Sequence, residues 1–145
     1  MAKILIKGKR INLRSLRLPD ADSIAKNINS KYITRYTQNI PYPYKRKYAV
    51  SFIRKTFAKA KKGTEYSLGI ELGGEIIGGA GLLNVKNGIA EIGYWLGKRY
   101  WGKGYMTEAS KLIVDYGFRR ASLGRPARES CGIRGCYGSP GQRPG

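Results

Sequence analysis

The segment Gly88–Phe118 constrains the fold of this chain more than any other. It opens with a short apolar run, Ile89–Leu96, whose length and composition are typical of a buried strand. It closes with a run in which apolar residues recur at helical spacing, so that they form one stripe. The members of that stripe are Tyr105, Met106, Ala109, Leu112, Ile113 and Tyr116. The sequence therefore predicts a strand, a loop and a helix in direct succession.

The loop between them has the spacing Arg99-x-x-Gly102-x-Gly104. A loop that leads from a strand into a helix can cradle an anion, because the first amides of the helix lack partners and the helix dipole is positive there. Gly102 and Gly104 have no Cβ, which lets a phosphate approach the main chain. Arg99 and Lys103 add positive charge. We expect a ligand that carries a pyrophosphate.

Two common phosphate-binding patterns are absent, namely G-x-G-x-x-G at the start of a βαβ unit and G-x-x-x-x-G-K-[ST]. The observed pattern instead resembles the acyl-coenzyme A motif of the GNAT superfamily of N-acetyltransferases. The longer string Glu91-Ile-Gly-Tyr-Trp-Leu, Tyr100-Trp-Gly-Lys-Gly-Tyr and Glu108-Ala109 resembles the branch of the ribosomal-protein N-terminal acetyltransferases. Arg10-Ile-Asn-Leu-Arg14, with Leu16 and Asp20, resembles the opening of that branch. The alternative is a strand–helix connection that binds nothing.

The resemblance implies an α/β (α+β) fold, with a mixed, mainly antiparallel sheet flanked by helices. It implies transfer of an acetyl group from acetyl-coenzyme A to a primary amine, most simply a protein N-terminus, without a metal. Glu91 lies where several relatives carry a general base; the alternative is a solvent-facing or ion-paired carboxylate. The expected coenzyme contacts are Tyr94, Trp95 and Leu96 for the pantetheine arm, and Arg99, Tyr100, Trp101, Gly102, Lys103, Gly104 and Tyr105 for the pyrophosphate. We expect Glu108 to be a structural partner of a nearby Arg or Lys.

The remaining elements follow from periodicity and turn signals. Lys7–Leu18 predicts a first strand that runs into a loop, and Pro19 starts a helix that runs to about Asn29. Lys45–Lys62 predicts a second helix with a basic outer surface. Gly73-Gly74 and Asn87-Gly88 indicate tight hairpins that join Tyr66–Leu72, Glu75–Val85 and the Ile89 strand into an antiparallel meander. We therefore expect four strands.

The tyrosine-rich segment from Tyr32 to Tyr44 has no clear period and is predicted to be a loop. In the GNAT family this region borders the acceptor cleft, which makes Tyr36, Tyr42 and Tyr44 candidate acceptor contacts. The alternative is that these tyrosines pack the loop onto the core.

The composition changes abruptly after Phe118. Every lysine lies at or before Lys111, whereas the last 27 residues contain six arginines, six glycines and three prolines. Because this tail has too little apolar surface for a core, we expect residues 1–118 to form a partial GNAT domain and residues 119–145 to be disordered. The C-terminal strands and helix of the fold would then be missing, and catalysis could be lost with them. A shifted reading frame or damaged gene is the explanation we favour; a natural arginine–glycine tail is the other.

The chain carries 28 basic and 9 acidic residues, a formal net charge of +19. Such a field attracts polyanions, including RNA, ribosome surfaces and coenzyme phosphates, so the alternative function is a basic nucleic-acid- or ribosome-associated module without catalysis. The absence of histidine excludes histidine bases and most zinc sites. Two cysteines do not make a disulfide framework. No signal peptide or membrane span is indicated, and we expect a cytoplasmic protein.

Overall fold

The computed structural model describes residues 4–29, 42–86, 89–119 and 128–130. The strands are β1 (Leu5–Lys7), β2 (Asn12–Ser15), β3 (Tyr66–Leu72), β4 (Glu75–Lys86), β5 (Ile89–Leu96) and β6 (Arg128–Ser130). The helices are α1 (Ala21–Ile28), α2 (Arg46–Lys62) and α3 (Tyr105–Arg119). Short 3₁₀ turns at Leu18–Asp20 and Lys98–Tyr100 precede α1 and follow β5.

These strands form one mixed sheet in the order β1-β2-β3-β4-β5-β6. Every neighbouring pair is antiparallel except the last, because β5 and β6 run parallel. Gly93 in the middle of β5 lies opposite Gly81 of β4 on one side and Ser130 of β6 on the other. The expected mixed, mainly antiparallel sheet flanked by helices is confirmed.

The first strand expected within Lys7–Leu18 is present as the shorter β2, but β1, which precedes it, was not predicted. The chain turns after β1, where the Gly8 amide donates to the Ile11 carbonyl at 2.9 Å, and returns as β2. Before this turn, Ile4, Leu5 and Ile6 form an apolar run of only three residues, which is too short to indicate a strand from the sequence alone. The turn projects towards the amino end of α3, because a Cβ on Gly8 would come within 2.7 Å of Glu108 Oε2.

Each face of the sheet has its own core. On one face α3 packs Met106, Ala109 and Ile113 against the sheet. On the opposite face α1 and α2 pack onto Leu16, Ile76 and Trp95; Ile24, Ile28, Ala49 and Ile53 belong to this second cluster. Since successive strand residues point to opposite faces, β5 contributes Ile92, Tyr94 and Leu96 to the α3 face and Trp95 to the other.

The structure contradicts part of what was expected after Phe118. We predicted no strand in that region, whereas Arg128–Ser130 forms β6 and pairs with residues 91–93 of β5. The remaining residues of the tail lie outside the described residues, and the expected disorder there stays a prediction. Among the described residues there are six strands rather than the expected four, because β1 has only a short apolar run and β6 carries neither a tight-turn dipeptide nor a clear apolar alternation.

A buried ion cluster ties β2 to the start of α1 and to β3. The Arg14 guanidinium donates to both carboxylate oxygens of Asp20 at 2.8 Å and to Glu71 at 2.7 Å. Burial alone would raise the pKa of Asp20, but the hydrogen bonds from Arg14 and from the Arg17 amide outweigh it and lower that pKa. The Arg14 hydrogen bond lowers the pKa of Glu71 as well. Both carboxylates are therefore charged around neutral pH. The cluster holds β2, β3 and the start of α1 together in the half of the sheet that lies away from β6.

Candidate active site

The loop between β5 and α3 forms a cup at the amino end of the helix. The chain makes a 3₁₀ turn at Lys98–Tyr100 and then bends through Gly102 and Gly104, whose φ angles are 79° and 83°. Positive φ is the left-handed region, in which glycine carries no steric cost. The first hydrogen bond of α3 runs from the Glu108 amide to the Gly104 carbonyl at 3.1 Å. The amides of Tyr105, Met106 and Thr107 precede that bond, so helix geometry leaves them without intrahelical acceptors.

Only part of the expected seven-residue cup presents main-chain donors. The Tyr100 and Trp101 amides already donate to the carbonyls of Gly97 and Lys98, at 2.9 Å and 3.1 Å. Among the described residues, the amides of Lys103 and Gly104 have no acceptor. The donor set suited to a phosphate therefore runs from Lys103 to Thr107, shifted into the helix relative to the sequence prediction. A pyrophosphate fits this set, because it combines consecutive amides with the positive end of a helix dipole.

The aromatic residues of the loop are structural neighbours of that cup. The Trp101 indole donates to the Leu96 carbonyl at 2.8 Å, which fastens the loop to the end of β5. Tyr100 and Tyr105 make an edge contact with their ring centroids 6.4 Å apart. Arg99 Cζ lies 5.5 Å from the centroid of the Tyr100 ring. The Arg99 and Lys103 side chains are both exposed.

Strand β5 links this cup to the middle of the sheet. The Gly97 amide donates to Ile77 of β4, which fixes the alternation: the main-chain groups of Ile92, Tyr94 and Leu96 point away from β4, towards the β6 side. Strand β6 pairs with residues 91–93 only, so no described strand continues alongside the part of β5 nearest the cup. This is where an extended pantetheine arm could lie, although the Leu96 carbonyl is already taken by Trp101.

A groove of about 500 Å³ opens on the α1/α2 face of the sheet. Its floor is strand backbone at Gly79, Gly81 and Gly93, and Trp95 lines it as well. Helix α2 forms a wall with aromatic and basic side chains. The lining residues of that helix are Tyr48, Ser51, Phe52, Lys55 and Lys59. Lys59 pairs with Glu65, which also lines the groove, at 3.6 Å.

Glu91 lies at the end of β5 farthest from the cup, roughly 16 Å from Leu96 at the usual rise of a strand. Strand alternation places it on the same face as Gly93 and Trp95, both of which line the groove. Its side chain is half-buried, and its carboxylate accepts a hydrogen bond from Asn84 Nδ2 at 2.8 Å. The predicted base and the predicted phosphate cup thus occupy opposite ends of one strand.

Of the two predicted acceptor tyrosines among the described residues, one lines the groove. Tyr44 is buried and lines the groove, with its ring 5.7 Å from that of Tyr48. Burial raises the pKa of Tyr44 to about 12, so its hydroxyl stays neutral at physiological pH. Tyr42 is 49% exposed and is not among the residues that line the groove. Tyr36 lies outside the described residues.

Sequence reasoning missed several residues of the site. Tyr48, Phe52, Lys55 and Lys59 lie along one side of α2 at spacings of three and four, a stripe that could have been read beside the buried stripe of Ala49 and Ile53. Lys55 and Lys59 are exposed, as expected for the basic outer surface of this helix, and they line the groove as well. Arg10, which contacts the cup, carries no local signal because it lies far away in sequence.

A family comparison decides the class of the protein. Residues 10–130 match the model of the acetyltransferase (GNAT) domain. The chain belongs to the GNAT acetyltransferase family. The match extends past Phe118 and includes β6, so it reaches further along this acetyltransferase than the partial domain expected over residues 1–118. The chain is an acetyl-CoA-dependent N-acetyltransferase by class.

Individual relatives agree with this assignment. The uncharacterized N-acetyltransferase p20 of Bacillus licheniformis is 31% identical over 121 residues, which are 81% of this chain and 67% of that protein. The microcin C7 self-immunity acetyltransferase MccE, solved in complex with acetyl-CoA and AMP, aligns with a TM-score of 0.70 and 25% identity over 83% of this chain and 69% of MccE. An acetyl transferase of Salmonella typhimurium that modifies the N-terminal serine of ribosomal protein L7/L12 has a TM-score of 0.73. At 17% identity over 86% of this chain and 74% of that one, it shows the shared fold.

The described residues contain no group of three or more His, Cys, Asp or Glu side chains arranged to hold a metal ion. None of their helices is both long enough and apolar enough to cross a membrane.

Proposed function

We propose that this acetyltransferase acetylates the α-amino group of a protein N-terminus. The coenzyme pyrophosphate would bind the amides from Lys103 to Thr107, and its pantetheine arm would follow β5 towards Glu91. The observation that carries this proposal is the placement of the phosphate cup and of Glu91 at opposite ends of β5, with the groove on the Glu91 face. An extended ligand that is anchored at the cup and follows β5 would bring its reactive end close to Glu91.

Bound acetyl-CoA supplies the thioester whose carbonyl carbon the amine attacks. The amine must be neutral to attack, and in this proposal the Glu91 carboxylate takes its proton, directly or through water. The side-chain amide of Asn84 orients that carboxylate by its 2.8 Å hydrogen bond. Main-chain groups of β5 on the β6 side donate to the oxygen that gains negative charge. The new C–N bond replaces the C–S bond, and the thiolate leaves.

The groove supports an acceptor that is extended and partly apolar. Tyr44, Tyr48 and Phe52 offer aromatic surface, and the floor is bare strand backbone. A peptide can present its N-terminus at Glu91 while its next residues lie over those rings. The acceptor of the Salmonella relative, the N-terminus of a ribosomal protein, is consistent with this arrangement.

The first test is a transfer assay followed by mass spectrometry. The protein, acetyl-CoA and one of three acceptors are mixed: a peptide with a free N-terminus, the same peptide with a blocked N-terminus and an internal lysine, or a polyamine. We expect acetylation of the free N-terminus only. Acetylation of the lysine or of the polyamine alone would overturn the proposed acceptor while leaving the enzyme class intact.

Coenzyme binding is tested separately by thermal unfolding. At 100 times its dissociation constant, CoA should stabilise the folded protein by about 2.7 kcal/mol and raise Tm accordingly. A matched concentration of pantetheine, which lacks the pyrophosphate, should raise Tm much less. Equal shifts for the two ligands would contradict the phosphate cup.

A further inference from the structure

Arg10 joins the β1–β2 turn to the phosphate cup, across 93 residues of sequence. Its Nη1 donates to the Lys103 carbonyl at 2.7 Å, and its Cζ lies 4.7 Å from the centroid of the Tyr105 ring. Its Nε donates to Glu108 Oε1 at 3.0 Å. The guanidinium therefore contacts the bend of the loop, the first residue of α3 and the next helical turn. The Arg10 side chain is 48% exposed, so it also faces the solvent from which a ligand would arrive.

The negative charge of Glu108 would repel an anion in the cup unless a cation such as Arg10 neutralised it. This carboxylate lies one turn inside α3, close to a cup that would receive an anion. Burial raises its pKa, but hydrogen bonds from the amides of Arg10 and Ile11 and from the Arg10 side chain outweigh that effect and lower the pKa. The same bonds, at 2.9, 3.2 and 3.0 Å, hold the carboxylate against the β1–β2 turn. Glu108 therefore cannot turn back to cap the amides that precede it.

The third nitrogen of the guanidinium points at the cup. A Cβ built on Gly104 would lie 3.1 Å from Arg10 Nη2, so this nitrogen borders the Gly104 main chain. Nε and Nη1 have the acceptors named above, whereas Nη2 has no acceptor among the described residues. A phosphate oxygen bound at the Gly104 amide would lie within reach of this donor.

We propose that Arg10 belongs to the coenzyme pyrophosphate site. It positions the Lys103–Tyr105 bend through Nη1, neutralises Glu108 through Nε and offers Nη2 to the ligand. This inference rests on the proposed binding of CoA at the cup. It assigns to the site a residue outside the strand–loop–helix motif and a role to the β1–β2 turn.

The test is equilibrium binding followed by intrinsic fluorescence. The chain has two tryptophans: Trp101 lies in the loop that forms the cup, and Trp95 lines the groove near the same end of β5, so ligand binding at the cup should change the signal through Trp101. CoA and pantetheine are titrated into the wild type and into Arg10→Ala, Arg10→Lys and Lys9→Ala. Lys9 is the matched control because it is an exposed neighbour whose removal changes net charge equally.

We expect Arg10→Ala to weaken CoA binding about tenfold or more, because a charge-assisted contact and the neutralisation of Glu108 are lost together. Pantetheine binding should stay unchanged, and so should CoA binding by Lys9→Ala. Arg10→Lys keeps the positive charge but loses the planar set of guanidinium donors, so its CoA affinity should lie between those of the wild type and Arg10→Ala. The decrease of CoA affinity with rising salt should be shallower in Arg10→Ala than in either the wild type or Lys9→Ala.

The outcomes separate the two proposals. If the wild type binds pantetheine as well as CoA, the phosphate cup itself is wrong. If the wild type prefers CoA and Arg10→Ala keeps that preference, Arg10 is not part of the site. If Arg10→Ala loses both ligands to the same degree, or if Lys9→Ala behaves like it, the effect is not local to the pyrophosphate and the inference is overturned.

Discussion

At the scale of single residues, Glu91 is the carboxylate that β5 places on the groove face, where the Asn84 amide holds it. If it is the base, Glu91→Gln removes proton acceptance but keeps size and polarity. We expect the transfer rate at neutral pH to fall by about 10²–10⁴-fold, the usual contribution of a positioned base. The remaining activity should lose the pH dependence that comes from deprotonation of the base. Initial rates across pH, with saturating acetyl-CoA, measure both effects.

Asp115→Asn is the matched control for that substitution. Asp115 is an exposed carboxylate on α3, paired with Arg119 one turn later at 2.9 Å. Its neutralisation changes net charge by the same amount and should leave the pH profile as it is. An unchanged profile in Glu91→Gln would discard the assignment. CoA affinity should be equal in the wild type, Glu91→Gln and Asp115→Asn, because Glu91 is far from the cup.

Single residues were predictable only where their role is local. Glu91 and the glycines at 102 and 104 could be placed from the order strand, loop and helix, since neighbours in sequence determine that geometry. Arg10 could not, because its partners Lys103 and Glu108 meet it only through the packing of a turn on a helix. The Trp101 indole was expected at the pyrophosphate but bonds the Leu96 carbonyl, a contact that depends on how the loop folds back.

At the scale of elements, the cluster of Arg14, Asp20 and Glu71 holds β2, the turn before α1 and β3 together. Arg14→Leu would leave the Asp20 side chain, which is only 7% exposed, without its buried cation and with only Arg17 beside it. We expect a loss of about 3–5 kcal/mol in the free energy of unfolding at neutral pH, the usual cost of breaking a buried pair. Urea unfolding measures it. A loss below 1 kcal/mol would show that the cluster carries little of the stability.

The same cluster predicts how the wild type responds to acid. Folding lowers the pKa values of Asp20 and Glu71. Their contribution to the free energy of unfolding is therefore fully present above the ordinary carboxylate pKa values of 3.8 and 4.5. That contribution is lost as the pH falls through the pKa values of the folded protein. Arg14→Leu should therefore flatten the decline in stability below about pH 5. Arg17→Leu is the control: Arg17 is 60% exposed and 4.0 Å from Asp20, so its removal should change stability by less than about 1 kcal/mol.

Elements were predictable where one periodicity runs without interruption. Helices α2 and α3 and strands β3 to β5 begin and end within a residue or two of their predicted bounds, because hairpin glycines and helical stripes mark their limits. Strand β1 was missed, since the apolar run at residues 4–6 is too short to indicate a strand before the chain turns and pairs it with β2. Strand β6 has no pattern of its own, and its position is set by the parallel edge that residues 91–93 offer.

At the scale of the whole molecule, a net charge of +19 acts on any polyanion nearby. A substrate on the ribosome would be approached through RNA, so non-specific RNA binding would raise the local concentration of the enzyme without touching the groove. Exposed basic residues concentrate on the solvent side of α2, where Arg54, Lys61 and Lys62 point outwards. The same helix carries the groove residues Tyr48 and Phe52.

We predict that the protein binds single-stranded RNA and that the logarithm of its binding constant falls linearly with log salt, with a slope of about 0.7 per phosphate contact. Changing Lys61 and Lys62 to Glu should make that slope shallower by about 1.4 if both contact phosphates. The same double change at Lys9 and Lys111, of which Lys111 lies on α3 across the sheet, alters net charge equally and should leave the slope nearly as it was. Filter retention over a salt series gives the slopes. If the two double variants behave alike, attraction by overall charge suffices and the α2 surface is no docking face; if the affinity ignores salt, the electrostatic argument fails altogether.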